Sequence, residues 1–62
     1  MIIFEDLLDV IDNDEEFILY QDTDRIGMFY KSDRGLNSYK NYTVDVIVTE
    51  AGKLTIYLDE EE

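Results

Sequence analysis

The stretch from Tyr42 to Leu58 constrains the fold more than any other, because it reads as two strands and the turn that joins them. Val44, Val46 and Val48 alternate with Thr43, Asp45, Ile47 and Thr49, and Leu54, Ile56 and Leu58 alternate with Thr55 and Tyr57. Side chains on a strand point to opposite faces in turn, so each run is a strand with one apolar side. Glu50-Ala51-Gly52 lies between them, with Gly at the place where a three-residue hairpin loop needs positive φ. Closing the hairpin there is predicted to pair Thr49 with Lys53, Val48 with Leu54, Val46 with Ile56 and Val44 with Leu58. A slip of one residue would set apolar positions against polar ones, so the pattern argues for that register.

The rest of the chain falls into fewer, looser elements. Phe4, Leu7, Leu8 and Ile11 stand at i, i+3, i+4 and i+7, the stripe of an amphipathic helix, which is predicted over about residues 3–12. Phe17 to Gln21 and Arg25 to Lys31 read as another hairpin, the first in chain order, around the turn Asp22-Thr23-Asp24. Its alternation sets Phe17, Leu19, Gly27 and Phe29 on one side against Ile18, Tyr20, Ile26, Met28 and Tyr30 on the other. Ser32 to Ser38, with Asp33, Gly35 and Asn37, reads as a loop. The expectation is an α+β domain over residues 1–58, followed by a flexible acidic tail at 59–62. One N-terminal helix packs on a four-stranded antiparallel sheet made of two hairpins. The sheet face away from the helix would then show Ile47, Tyr57 and one apolar side of the first hairpin. An apolar face of that kind implies a dimer or a bound partner.

Composition removes several classes of function. With 62 residues the chain is one small domain, and with no Cys and no His it lacks thiolate and imidazole metal ligands and the commonest general base. Catalysis by carboxylates alone needs a cleft that separates their pKa values, and one helix on one sheet offers little concavity. We therefore expect no enzyme, no cofactor and no metal. Asp22-x-Asp24-x-x-Gly27 with Asp33 resembles half of a calcium loop, but Ile26 stands where an oxygen ligand belongs. Met1 to Phe4 is a short apolar run followed at once by Glu5, which does not read as a leader, and no apolar run approaches the ~18 residues of a membrane span. The cytoplasm is the expected compartment.

Charge carries the functional signal. Sixteen acids against five bases give a net −11, and residues 1–24 hold nine acids with no base. Arg25, Lys31, Arg34 and Lys40 form a basic island, opposed between residues 25 and 40 by Asp33 alone. Such a field repels nucleic acid and anionic membrane and attracts basic protein surfaces. Glu5, Asp6, Asp9 and Asp12 on the helix, with Asp14, Glu15 and Glu16 in the run after it, place seven carboxylates over positions 5–16. At a helical rise of about 1.5 Å per residue that approaches the linear charge density of B-DNA, one charge per ~1.7 Å of axis. With Asp22 and Asp24 they are the candidate partner-binding acids. Tyr39, in the loop between Ser38 and Lys40, is the candidate exposed aromatic anchor, and Ile47 and Tyr57 the candidates on the sheet face.

In size, in charge between Glu5 and Asp24, and in its helix-then-sheet order from Phe4 to Leu58, the chain resembles the small acidic anti-defence proteins of bacteriophages. These are the anti-CRISPR and anti-restriction inhibitors that mimic nucleic acid. The resemblance implies an inhibitor that occupies the nucleic-acid-binding surface of a defence enzyme. The other expectations are a homodimeric assembly module, and an immunity or antitoxin protein, each binding through the sheet face.

Overall fold

The apolar stripe of the N-terminal segment enters the core as its spacing requires, but on a shorter helix than expected. In the computed structural model, which describes residues 1–59, α1 spans Phe4–Leu8 and buries Phe4 and Leu8. Beyond it the chain tightens. The Val10 N–H bonds to the Leu7 carbonyl at 3.1 Å and the Ile11 N–H to the Leu8 carbonyl at 3.3 Å, both three residues back. These turns still deliver Ile11 to the core, and they end the helix well short of residue 12. Ile3 supplies no side-chain cap at the start of α1. The first N–H groups are instead met by main chain: Phe4 donates to the Tyr42 carbonyl at 2.8 Å and Glu5 to the Lys40 carbonyl at 3.1 Å.

The sheet has five strands and is mixed. They are β1 (Ile2–Ile3), β2 (Phe17–Gln21), β3 (Asp24–Phe29), β4 (Thr43–Glu50) and β5 (Lys53–Asp59), in the spatial order β1-β4-β5-β2-β3. Both expected hairpins form. They meet through β2 and β5, which run parallel, with Leu19 opposite Ile56 and Tyr20 opposite Tyr57. The all-antiparallel, four-stranded arrangement is therefore corrected on two counts. The parallel seam follows from burial, since β2 and β5 carry Phe17, Leu19, Ile56 and Leu58, which are among the most deeply buried side chains, and central strands are the most covered. The extra strand, β1, pairs Ile2 with Val44 and Ile3 with Thr43.

The register of the second hairpin differs from the expected one by a single residue along most of its length. Ala51 and Gly52 have φ of 52° and 76°, the two positive values of a type I′ turn, and the turn closes on Glu50 opposite Lys53. A primed two-residue turn matches the twist of the strands it joins, and here that outweighs the alternation of valines. Thr49 faces Leu54, Ile47 faces Ile56 and Val46 faces Tyr57, until a bulge at Asp45 restores Val44 opposite Leu58. An extra residue on one strand reverses which way the following side chains point. Val44 thus packs against the core, whereas Val46 and Val48 share the opposite face with Tyr57 and Thr55. A second bulge, at Ile26 on β3, turns that side chain onto the core as well.

α1 covers one face of the sheet together with a 3₁₀ helix at Arg34–Tyr39, in the segment expected as a plain loop. Leu36 is fully buried there, which gives the segment a reason to be ordered. Asp33 begins it: its Oδ2 accepts from the Tyr30 N–H at 2.9 Å, and its carbonyl accepts from Leu36 at 3.2 Å. Phe4 meets Phe17 edge-to-face at 6.2 Å and Phe17 lies 6.5 Å from Phe29, so aromatic contacts tie α1 to both strands of the first hairpin. Asp59 ends β5 opposite Thr43, and the remainder of the expected tail, Glu60 to Glu62, lies outside the described residues.

Candidate protein-binding surface

Both covering helices sit on one side, and among the described residues no element covers the other face of the sheet. Alternation and register place Ile18 and Tyr20 of β2, Met28 of β3, Val46 and Val48 of β4, and Thr55 and Tyr57 of β5 on it. Met28 is 40% exposed, Val46 46% and Val48 38%, and Tyr30, just past β3, is 43% exposed. Tyr20 and Tyr57, opposite one another across the parallel seam, stack with ring centroids 4.7 Å apart and planes 22° apart. That stack is worth about 0.5–1.5 kcal/mol beyond the area it covers and holds both rings in place on the open side.

At one end of this face is a hollow of about 340 Å³. Asp14, Glu15 and Glu16 line one side, Ile18, Met28 and Tyr30 belong to the open face, and Gly52, Lys53 and Leu54 come from the end of the second hairpin. The acids reach this position because the turns after α1 lead the chain straight into β2 at Phe17, whose inward direction sends Glu16 to the open side. The lining is mainly polar, and acids beside the few apolar side chains there can receive a Lys or Arg, the cation held by the acids and the methylene stem against Met28 and Tyr30.

The remaining candidates distribute unevenly. Glu5 and Asp6 are exposed on α1, Asp9 and Asp12 on the turns that follow, and Asp22 and Asp24 at the β2–β3 turn. All nine acids between Glu5 and Asp24 face solvent, but only Asp14, Glu15 and Glu16 border the hollow. α1 carries only Glu5 and Asp6 of the seven acids expected on the helix and the run after it, so a linear match to a phosphate backbone has no continuous helix to rest on. Tyr39, the expected exposed anchor, is half-buried against the core and meets Tyr42 edge-to-face at 5.3 Å. Ile47, expected beside Tyr57, lies opposite Ile56 on the helix side of the sheet, though it is 42% exposed near the sheet edge. Tyr57 is where it was expected. Val46, Val48, Ile18, Met28 and Tyr30 were missed as site residues, although the two-sided apolar pattern of the first hairpin signalled the last three.

Among the described residues no three acidic side chains converge in a way that could hold a metal ion, and no helix is long and apolar enough to cross a membrane. Comparison of the chain with protein-family models, curated proteins and solved structures finds no match.

Proposed function

We propose that this protein is a small acidic inhibitor that binds a basic, nucleic-acid-binding surface of a partner protein through the open sheet face and its acidic border. The observation that carries the reading is the hollow where Asp14, Glu15 and Glu16 stand beside Ile18, Met28 and Tyr30. An acid cluster alone attracts any cation. A cluster with Ile18, Met28 and Tyr30 beside it favours long basic side chains whose stems have apolar neighbours, and surfaces dense in Lys and Arg are the ones built for nucleic acid. The likeness in size and charge to phage anti-defence inhibitors supports the same class, with the partner a nuclease or CRISPR effector and no direct contact to nucleic acid or membrane. The open apolar face also supports a second reading, an assembly module or immunity-type protein in which the face itself supplies most of the contact.

The test is capture of partners from a host lysate with three baits: wild type, a triple variant Asp14→Asn, Glu15→Gln, Glu16→Gln, and a chain lacking Glu60 to Glu62. The last two lose the same three charges. On the inhibitor reading the triple variant loses the captured protein, the truncated chain keeps it, and added DNA or RNA competes it off. Equal losses from both variants mean that net charge alone acts. Retention by both, with loss on Tyr57→Ala, assigns the function to the sheet face instead.

A further inference from the structure

Among the described residues the outer edge of β3 and most of that of β4 are unpaired; β3 begins with the charged Asp24 and Arg25, whereas the open part of β4 has no charge before Glu50. Among the described residues only β1 pairs along the β4 edge, and only at Thr43 and Val44. Val46 to Glu50 therefore presents an open strand edge, and Val46-Ile47-Val48-Thr49 contains no charge, no Pro and three β-branched aliphatics, each more than a third exposed. Edges of this kind are normally blunted by Lys, Pro or a cover, because they template pairing with another strand. We propose that a second copy of this chain covers it, in a two-fold dimer whose β4 strands pair antiparallel about Val48.

The register follows from the fold. The two-residue turn closes on Glu50 and Lys53 as a doubly hydrogen-bonded pair, so Val48 and Val46 turn their N–H and C=O groups toward β5. Ile47 and Thr49 turn theirs outward. A two-fold axis perpendicular to the sheet keeps each face on its own side, so a residue must meet one of like orientation. Centring on Ile47 would bring Glu50 of the second copy opposite Val44, where Ile2 already stands. Centring on Val48 avoids this. Val48 then meets its own counterpart across a close, non-hydrogen-bonded pair, and Ile47 exchanges two hydrogen bonds with Thr49 of the second copy, twice by symmetry. The open stretch of five residues, Val46 to Glu50, is filled end to end.

Charge weakens the contact without forbidding it: each copy carries −11, and this register sets Asp45 of each copy one position from Glu50 of the other, so pairing should strengthen as salt is added. The two Glu50 residues lie four positions apart along the ladder, about 13 Å, which exceeds a Debye length of about 8–10 Å at ordinary salt. A basic partner would find nothing to select it between Val46 and Thr49, so shape and hydrogen bonding decide here. Five residues a side is far below the roughly 20–30 of a standard interface, so the dimer is weak and depends on concentration. This inference is independent of the acidic hollow.

The chain has no Cys, which makes disulfide trapping clean. Val46→Cys, Ile47→Cys and Val48→Cys are compared at about 0.1 mM in a glutathione redox buffer, each checked for unchanged circular dichroism. Val48 pairs at a Cα separation of about 4.5 Å, inside the disulfide range, whereas Val46 stands about 13 Å from its counterpart, so Val48→Cys should cross-link about tenfold faster or more. Wild type should sediment at 7.3 kDa when dilute and approach twice that mass near millimolar concentration. Equal rates at Val46 and Val48, or the fastest rate at Ile47, overturn the register. A wild type that stays monomeric to millimolar concentration overturns the dimer and leaves the edge to an extended strand of another protein.

Discussion

Replacing Ala51 by Asn tests the hairpin that organises the domain. Ala51 has φ of 52°, a left-handed conformation that costs a residue with a Cβ about 1–2 kcal/mol. Asn tolerates that conformation, and Asn-Gly is the preferred pair for a type I′ turn, so Ala51→Asn should recover about 0.5–1 kcal/mol. The side chain is exposed, so no packing change competes with the backbone effect. A domain of this size has about 3–9 kcal/mol in total, which makes the gain a visible fraction. At about 4–8 °C per kcal/mol the melting temperature should rise by about 2–8 °C, read by far-UV circular dichroism. Gly52→Ala should lower it, because Gly52 has φ of 76° and a Cβ there meets nothing that could compensate. In a three-residue loop Ala51 would sit in the right-handed region and Asn would bring no benefit. An unchanged or lower melting temperature for Ala51→Asn would refute the two-residue turn and, with it, the shifted register.

Other outcomes follow from the same structure. Leu36→Ala should cost about 2–5 kcal/mol in chemical denaturation, since Leu36 is fully buried under the 3₁₀ helix, and a cost near zero would mean that this segment does not close the core. With −11 on so small a body, the melting temperature should rise as sodium chloride increases from a few millimolar to several hundred, because self-repulsion is screened. A flat or falling curve would show that Arg25, Lys31, Arg34 and Lys40 already balance the acids locally.

How much of this was legible depends on range. Local periodicity carried the stripe Phe4–Leu7–Leu8–Ile11 and both hairpins, and it separated the two sides of β2 without showing that Phe17 and Leu19 form the inward one. The helix was read too long because periodicity alone does not distinguish one helical turn followed by tighter turns from a continuous helix. The parallel β2–β5 seam and the β1–β4 pairing are contacts between distant segments, which alternation within a strand cannot report. The valine pattern and the turn chemistry favour different registers, and the turn decides. A left-handed Ala51 is unfavourable enough that Gly52 alone was read as the special residue, and a bulge at Asp45 leaves no mark in a polar–apolar string. The shifted register also sets Ile47 on the helix side of the sheet. Tyr39 is half-buried because the segment containing it folds back as a 3₁₀ helix around Leu36, a tertiary effect that local composition does not report. The acids were all legible as exposed, but which three stand beside Ile18, Met28 and Tyr30 depends on the path from α1 into β2.

The most direct test of the proposed binding surface is a nuclear magnetic resonance titration of the labelled protein with a short arginine-rich peptide. Shift changes should concentrate on Asp14 to Ile18, Met28 to Tyr30 and Gly52 to Leu54, and should fade in the Asp14→Asn, Glu15→Gln, Glu16→Gln variant. Changes spread evenly over Glu5, Asp6, Asp9, Asp45 and the other exposed acids, and undiminished in that variant, would contradict it.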